Sequence, residues 1–260
     1  MSVYSYGDNS YQMGTSPSLL FRSLLPEVPR GTPLETAWLN AKGLSSKQVA
    51  QLAAAGWLQR IGHGTYVLPG DKLDRDASLA LLARGTPGLH VGSKTALAWR
   101  GVRHNIAARE RLSLWGDKPT TLPAWFTTTF PAGYQATHLF DAALTSATSL
   151  APLPGGHPDV WVSTPERALL ELLSDVGKTQ GLEEARHLVE SARSLRMKVL
   201  DELFSHLTRI KVVRLAHAIA TELDLPWADL AQSHSQRLGG GQRWVSTTKL
   251  GDRLNLKRPQ

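Results

Sequence analysis

Lys47 and Gln51 stand four residues apart in a segment patterned as a short helix. At about 100° per residue they share one side with Ala54, with Ser46 and Ala50 beside them, while Val49, Leu52, Ala53 and Gly56 share the other. The apolar side must face a core. The outer side is small and polar with one cation, which suits a helix laid into the major groove of duplex DNA. Gln can pair with an adenine edge, Lys can reach guanine or a phosphate, and small residues let the helix sit deep. Directly downstream, Leu58-Gln59-Arg60-Ile61, the tip Gly62-His63-Gly64 and Thr65-Tyr66-Val67-Leu68 form a β-hairpin pattern. Arg60 and His63 would bring donor groups to the backbone of the duplex. The expected DNA-binding set is therefore Ser46, Lys47, Ala50, Gln51, Ala54, Arg60 and His63.

Two short helices and the hairpin must hold that set in place. Residues 33–42 read as the first helix, and Gly43 with Leu44 as the turn. Ser45 caps the second helix, Gln48 three residues on completes a capping box, and Leu44 and Val49 are placed as a hydrophobic staple. Such a cap contributes about 1 kcal/mol, and a helix this short also needs tertiary packing. Ser45 and Gln48 are thereby assigned to capping rather than to base reading. The order is that of a winged helix-turn-helix, a unit that also serves elsewhere as a protein-interaction module.

Other chemistry is weakly encoded. Gly88 to Thr95 reads Gly-Leu-His-Val-Gly-Ser-Lys-Thr, but a phosphate loop needs Lys directly after the second Gly, and Ser93 intervenes. A helix start capped by Ser93 explains the run. The nine histidines form no ligand cluster, there is no cysteine, and no nucleophile elbow occurs. Glu166 and Glu171, five apart on one helix, make a poor acid–base pair, and Glu166 suits the helix N-terminus by its charge. Gly239-Gly240-Gly241 reads as a flexible turn, or as an anion cradle beside Arg237 and Arg243. No catalytic, metal or cofactor site is expected.

Charge points the same way as the helix face. The 260 residues carry a formal charge of +7. Five Lys/Arg and three Asp/Glu lie in residues 1–70, and residues 71–233 are balanced. Residues 234–260 hold six cations against Asp252. A polyanionic partner fits this distribution, and Arg237, Arg243, Lys249 and Arg253 are candidate secondary phosphate contacts. No signal peptide or membrane-length apolar run is recognisable, so a cytoplasmic protein with no membrane partner is expected.

The chain reads as a flexible tail (1–17), a winged helix-turn-helix DNA-binding domain (18–70), a linker helix (71–90) and a larger mixed α+β C-terminal domain (91–260), an α+β protein overall. Residues 93–99 read as a helix, and strands are expected over 111–115, 125–130, 134–140 and 160–162. Thr164 then caps a helix with Pro165 first, three further helices follow between 182 and 223, and 244–246 and 254–256 return to a sheet.

Several of these pieces together resemble the AbiEi family, antitoxins of type IV abortive-infection toxin–antitoxin systems. They are the winged unit, Trp125-Phe126 after Pro123, the run Ser163-Thr164-Pro165-Glu166-Arg167-Ala168 with Leu170-Glu171-Leu172-Leu173, and the stretch from Leu238-Gly239 to Arg243, in which Gln242 stands where a basic residue is expected. The likeness covers residues 19–256. It implies a repressor that binds inverted repeats of double-stranded DNA in its own promoter through the winged unit. It also implies a C-terminal antitoxin domain acting against a nucleotidyltransferase toxin, without a stable complex being required. Two rivals remain. One is a nucleic-acid- or nucleotide-processing enzyme with the winged unit as targeting arm, which requires convergent carboxylates or histidines in a pocket of the second domain. The other is a toxin-binding interaction scaffold, which requires an exposed apolar patch there.

Overall fold

The computed structural model describes residues 16–102, 111–238, 243–247 and 253–257. Together they are α+β, and the chain divides into two compact units, Met1–Ala77 and Ser78–Gln260.

The first unit contains α1 (Pro17–Leu24), β1 (Leu34–Glu35), α2 (Thr36–Ala41), α3 (Ser46–Ala54), β2 (Gln59–Gly62) and β3 (Thr65–Val67). Phe21, Leu39, Leu44, Val49, Leu52 and Leu58 lie in its core. The three strands form an antiparallel sheet in the order β1-β3-β2, so β3 is central and all three of its residues are buried. This order of elements is consistent with a winged helix-turn-helix. The helix expected over 33–42 starts only at Thr36. Leu34 and Glu35 instead pair with Tyr66 and Thr65, and the amide and hydroxyl of Thr36 both donate to the Gly64 carbonyl, at 2.8 and 3.2 Å.

α4 (Arg75–Gly85) starts in the first unit and continues into the second, where its Leu79, Ala80 and Leu82 are buried in the larger core. The helix expected within the linker thus crosses the boundary between the units, and its second half contributes to the larger core. Then follow β4 (His90–Val91), α5 (Ser93–Trp99), β5 (Leu112–Trp115), α6 (Ala124–Thr129), β6 (Ala132–Gln135), β7 (Leu150–Ala151), β8 (Val162–Ser163) and α7 (Pro165–Asp175). A helical stretch closes the order: α8 (Leu182–Ser191), α9 (Met197–His206), α10 (Ile210–Glu222) and α11 (Ala228–Arg237). The five strands form a mixed sheet, β6-β5-β4-β8-β7, with β5–β6 and β4–β8 parallel. β9 (Arg243–Thr247) and β10 (Arg253–Lys257) pair only with each other among the described residues. α7 is buried almost all round, and its buried residues include Glu166, Glu171, Ser174 and Asp175.

This unit departs from expectation at several points. The aromatic and threonine run 125–130 looks like a strand but forms α6. Phe126 is fully buried and packs its ring against Trp125 and Phe130, and the Thr129 hydroxyl donates back to the Trp125 carbonyl at 3.2 Å. Tertiary burial overrides β-propensity here. The strand expected over 134–140 is shorter, ending at Gln135. α11 was not expected at all, because only Ala231 and Ser235 are buried along it. Trp161 is 45% exposed. Among the described residues no helix is long and apolar enough to cross a membrane.

Candidate nucleic-acid interface

The start of α3 is fixed by two reciprocal hydrogen bonds. Gln48 N donates to Ser45 Oγ at 3.3 Å, and Ser45 N donates to Gln48 Oε1 at 2.7 Å, so the capping box is complete. Leu44 before the cap and Val49 after it are both buried in the first core, as a staple requires. With Val49 and Leu52 turned inward, Ser46, Lys47, Ala50, Gln51 and Ala54 are all exposed. The Lys47 ammonium and the Gln51 amide make no hydrogen bond or ion pair with any described residue. Ser46 is less free, because its hydroxyl lies 3.2 Å from the Asn40 side chain.

The hairpin tip turns through His63 and Gly64, where Gly64 takes φ +63°, a left-handed conformation that favours glycine. A register shift between Arg60 and Gly62 bends β2. His63 is exposed at the tip. Arg60 is exposed too, but its Nε donates to the Gly62 carbonyl at 3.1 Å, which ties the guanidinium along its own strand.

The C-terminal cations are placed unevenly. Arg237 donates through Nη2 to the Phe204 and Ser205 carbonyls at 3.2 and 2.9 Å, capping the end of α9. That engages its guanidinium within the protein. Arg243 lies on β9 opposite Lys257, and Arg253 on β10 opposite Thr247. Lys249 and the triple glycine 239–241 lie outside the described residues.

In the second unit the structure gathers residues that sequence spacing left scattered. Glu171, fully buried on α7, accepts from Ser93 N (2.9 Å), Ser163 Oγ (2.9 Å) and Arg167 Nε (2.8 Å), and His90 Nε2 lies 3.0 Å away. Burial alone would raise its pKa, but His90 and then Arg167 hold it down at about 2. Ser93 is not the cap of α5; Gly92 is, and Ser93 sits at φ +51° with its hydroxyl donating to Asp175 at 3.3 Å. The amide at which a phosphate loop would meet its anion is therefore taken by Glu171. Gly92 itself leaves no room, since a Cβ there would lie 2.3 Å from Glu171 Oε2.

Glu166 is also buried, and it grips Arg196 through Nε, Nη2 and the backbone amide at 2.8–3.0 Å. This contact pulls its carboxyl below the ordinary range against the opposing effect of burial. Thr164 stands at the cap position of α7, yet its hydroxyl makes no capping bond. The run Ser163–Ala168 thus acts as a fastener of the second core. The only local signal for this was the Arg167–Glu171 spacing of four; His90 and Ser93 lie 81 and 78 residues from Glu171. The convergence that the enzyme reading required is present in part. Glu171 and His90 are buried and engaged, and Asp175 alone of the three reaches a cavity. No group of three or more metal-ligating side chains occurs among the described residues.

Comparison with known proteins bears on the whole chain. Residues 18–108 match the family model "Transcriptional regulator, AbiEi antitoxin N-terminal domain", and residues 109–255 match "Transcriptional regulator, AbiEi antitoxin, Type IV TA system". No curated protein matches. Among solved structures, the crystal structure of the RV2827C protein from Mycobacterium tuberculosis is similar, with a TM-score of 0.57 and 17% identity over 88% of this chain and 83% of that one. At that identity the likeness shows a shared fold. The two family matches adjoin and span nearly all of the sequence, so the chain belongs to the AbiEi family of transcriptional-regulator antitoxins of type IV toxin–antitoxin systems.

Proposed function

We propose that this chain is a cytoplasmic, non-catalytic autorepressor and antitoxin. Its N-terminal unit binds inverted repeats in the promoter of its own operon. Its second unit counteracts a nucleotidyltransferase toxin without requiring a stable complex. α3 enters the major groove, Lys47 and Gln51 face base edges, and Ala50 and Ala54 permit close approach. Ser46, Arg60 and His63 contact the phosphate backbone, Arg60 after leaving Gly62. Residues 18–70 make up the DNA-binding domain, residues 71–90 link it to the rest, and the antitoxin activity lies in residues 91–260.

The observation that carries this reading is the outer face of α3: five small or polar side chains exposed, with Lys47 and Gln51 uncommitted to any described residue. Footprinting on the region upstream of the protein's own gene tests it. Two protected half-sites are expected, separated by about one helical turn of DNA or a multiple of it. No protection at moderate salt would remove the autorepressor assignment.

A further inference from the structure

A cavity of about 510 Å³ opens in the second unit between β5, β6, the start of α5 and the turn that follows α7. Its wall includes Arg111, Lys178, Lys94, Tyr134, Gln135 and Asp175. Such a volume lies within the range of small-ligand sites, roughly 300–1,000 Å³.

The charge of the wall is positive and largely uncommitted. Arg111 and Lys178 form no ion pair with any described residue, and Lys94 is tethered only loosely to Glu184, at 3.5 Å. Gly133 on β6 carries no side chain, and the Arg111 guanidinium lies over it; a Cβ there would meet Nε at 3.4 Å. The guanidinium therefore lies along the strand on one side of the cavity. Lys178 follows Gly177, whose φ of +81° turns the chain after α7. Just beyond it, Arg209 Nη1 donates to Ser174 Oγ at 3.0 Å, and Lys211 donates to the Ser174 and Val176 carbonyls. Partial burial and then the nearby Arg209 lower the pKa of Lys178, and Lys211 falls to about 8.

Asp175 supplies one opposing charge on this wall, against the three cations Lys94, Arg111 and Lys178. Asp175 already accepts from Gln135 Nε2 at 2.7 Å and from Ser93 Oγ, and burial, together with Glu171, raises its pKa. A planar guanidinium and a mobile ammonium facing one polar cavity match a compact dianion.

We propose that this cavity binds the phosphate group of a small ligand, with Arg111 and Lys178 as the residues that hold it. The site is distinct from the α3 face, and the ligand is either free phosphate or a phosphate ester of about mononucleotide size. Isothermal titration calorimetry on the full chain tests this with inorganic phosphate, pyrophosphate and adenosine 5′-monophosphate, and with adenosine as the uncharged control. At least one phosphate probe is expected to bind with Kd below about 1 mM, and Arg111→Gln and Lys178→Gln should each weaken it about tenfold. Tighter binding of the nucleotide than of inorganic phosphate identifies an ester as the ligand; the reverse identifies the free ion. Both side chains are exposed, so the variants should keep the wild-type melting temperature and promoter footprint. Failure of all three phosphate probes, equal binding of adenosine, or affinities unchanged in both variants would overturn the proposal. So would a footprint lost in both variants, which would make the rim a nucleic-acid surface.

Discussion

α3 and α7 are helices of nine and eleven residues that use their polar side chains in opposite ways. α3 keeps its polar bonding local, in the Ser45–Gln48 box and the Asn40–Ser46 contact, and leaves Lys47 and Gln51 uncommitted on its outer face. α7 commits both of its glutamates to partners drawn from distant parts of the chain, and both are buried. A side chain left without partners on a rigid helix costs little stability and remains available to a ligand. A buried carboxylate satisfied by several donors is unavailable to a ligand, and removing it leaves those donors stranded. On the proposed function, the contrast separates recognition from architecture. It predicts that stability and DNA specificity respond to different substitutions.

The largest effect is expected at Glu171. Glu171→Gln removes a charge that Arg167 and His90 face in the core, and breaking a buried pair this way costs roughly 3–5 kcal/mol. Urea unfolding followed by tryptophan fluorescence reads the loss, since Trp115 and Trp227 are buried in the same unit. The acid limb provides a second reading. The folded-state pKa is about 2, below the ordinary glutamate value of 4.5, so the carboxylate's contribution is complete above about pH 4.5 and disappears as pH falls towards 2. The substitution should therefore flatten the fall of stability between those values. An unchanged acid limb would mean that Glu171 is not held as an anion.

Gly92→Ala comes next. The new methyl would press on Glu171 Oε2 and on Trp115 Cδ1 at 2.7 Å, both in the interior. Overpacking of this kind costs about 1–3 kcal/mol. The φ of Gly92 is −130°, so the backbone itself tolerates alanine and the cost is steric. Adding Trp115→Phe to Gly92→Ala should then recover part of it, because the smaller ring frees space. A double variant no more stable than Gly92→Ala would place the cost elsewhere.

These two sites also show which parts of the structure the sequence disclosed. The capping box, its staple and the inward face of α3 were readable because every partner lies within a few residues, where helical period and cap chemistry apply. The same holds for the hairpin tip and for Pro165 at the first position of α7, whereas the capping bond expected of Thr164 does not form. The Glu171 cluster was not readable, because its partners come from β4, α5 and β8 and are joined only by the fold. α6 was misread for a related reason: its aromatic run has strand propensity, and only the burial of Phe126 decides for the helix. Glycine at 92 looked like part of a failed phosphate loop, whereas it is the room that Glu171 needs.

At Ser45 the expected loss is smaller. Ser45→Ala keeps the bond that the Ser45 amide donates to Gln48 Oε1 but deletes the acceptor for Gln48 N, at about 1 kcal/mol. Ser45→Asp restores an acceptor at the helix N-terminus and should recover most of the loss in a urea titration. A deficit that persists in Ser45→Asp would show that the hydroxyl matters for something other than the cap.

The smallest effect on stability is expected where the effect on specificity is greatest. Lys47→Ala with Gln51→Ala trades two exposed, uncommitted side chains for a residue of high helix propensity, so unfolding should shift by no more than about 0.5 kcal/mol. Base contacts specify a site whereas phosphate contacts position the protein, so the double variant should lose discrimination between promoter and random duplex by about 1–3 kcal/mol per lost base contact. Nonspecific affinity should fall less, by the share of one cation. Gel shifts with both duplexes at two salt concentrations separate the two quantities, because the nonspecific part carries the salt dependence. Unchanged discrimination, with stability also unchanged, would make the outer face of α3 an idle surface and shift the search for base contacts to the hairpin.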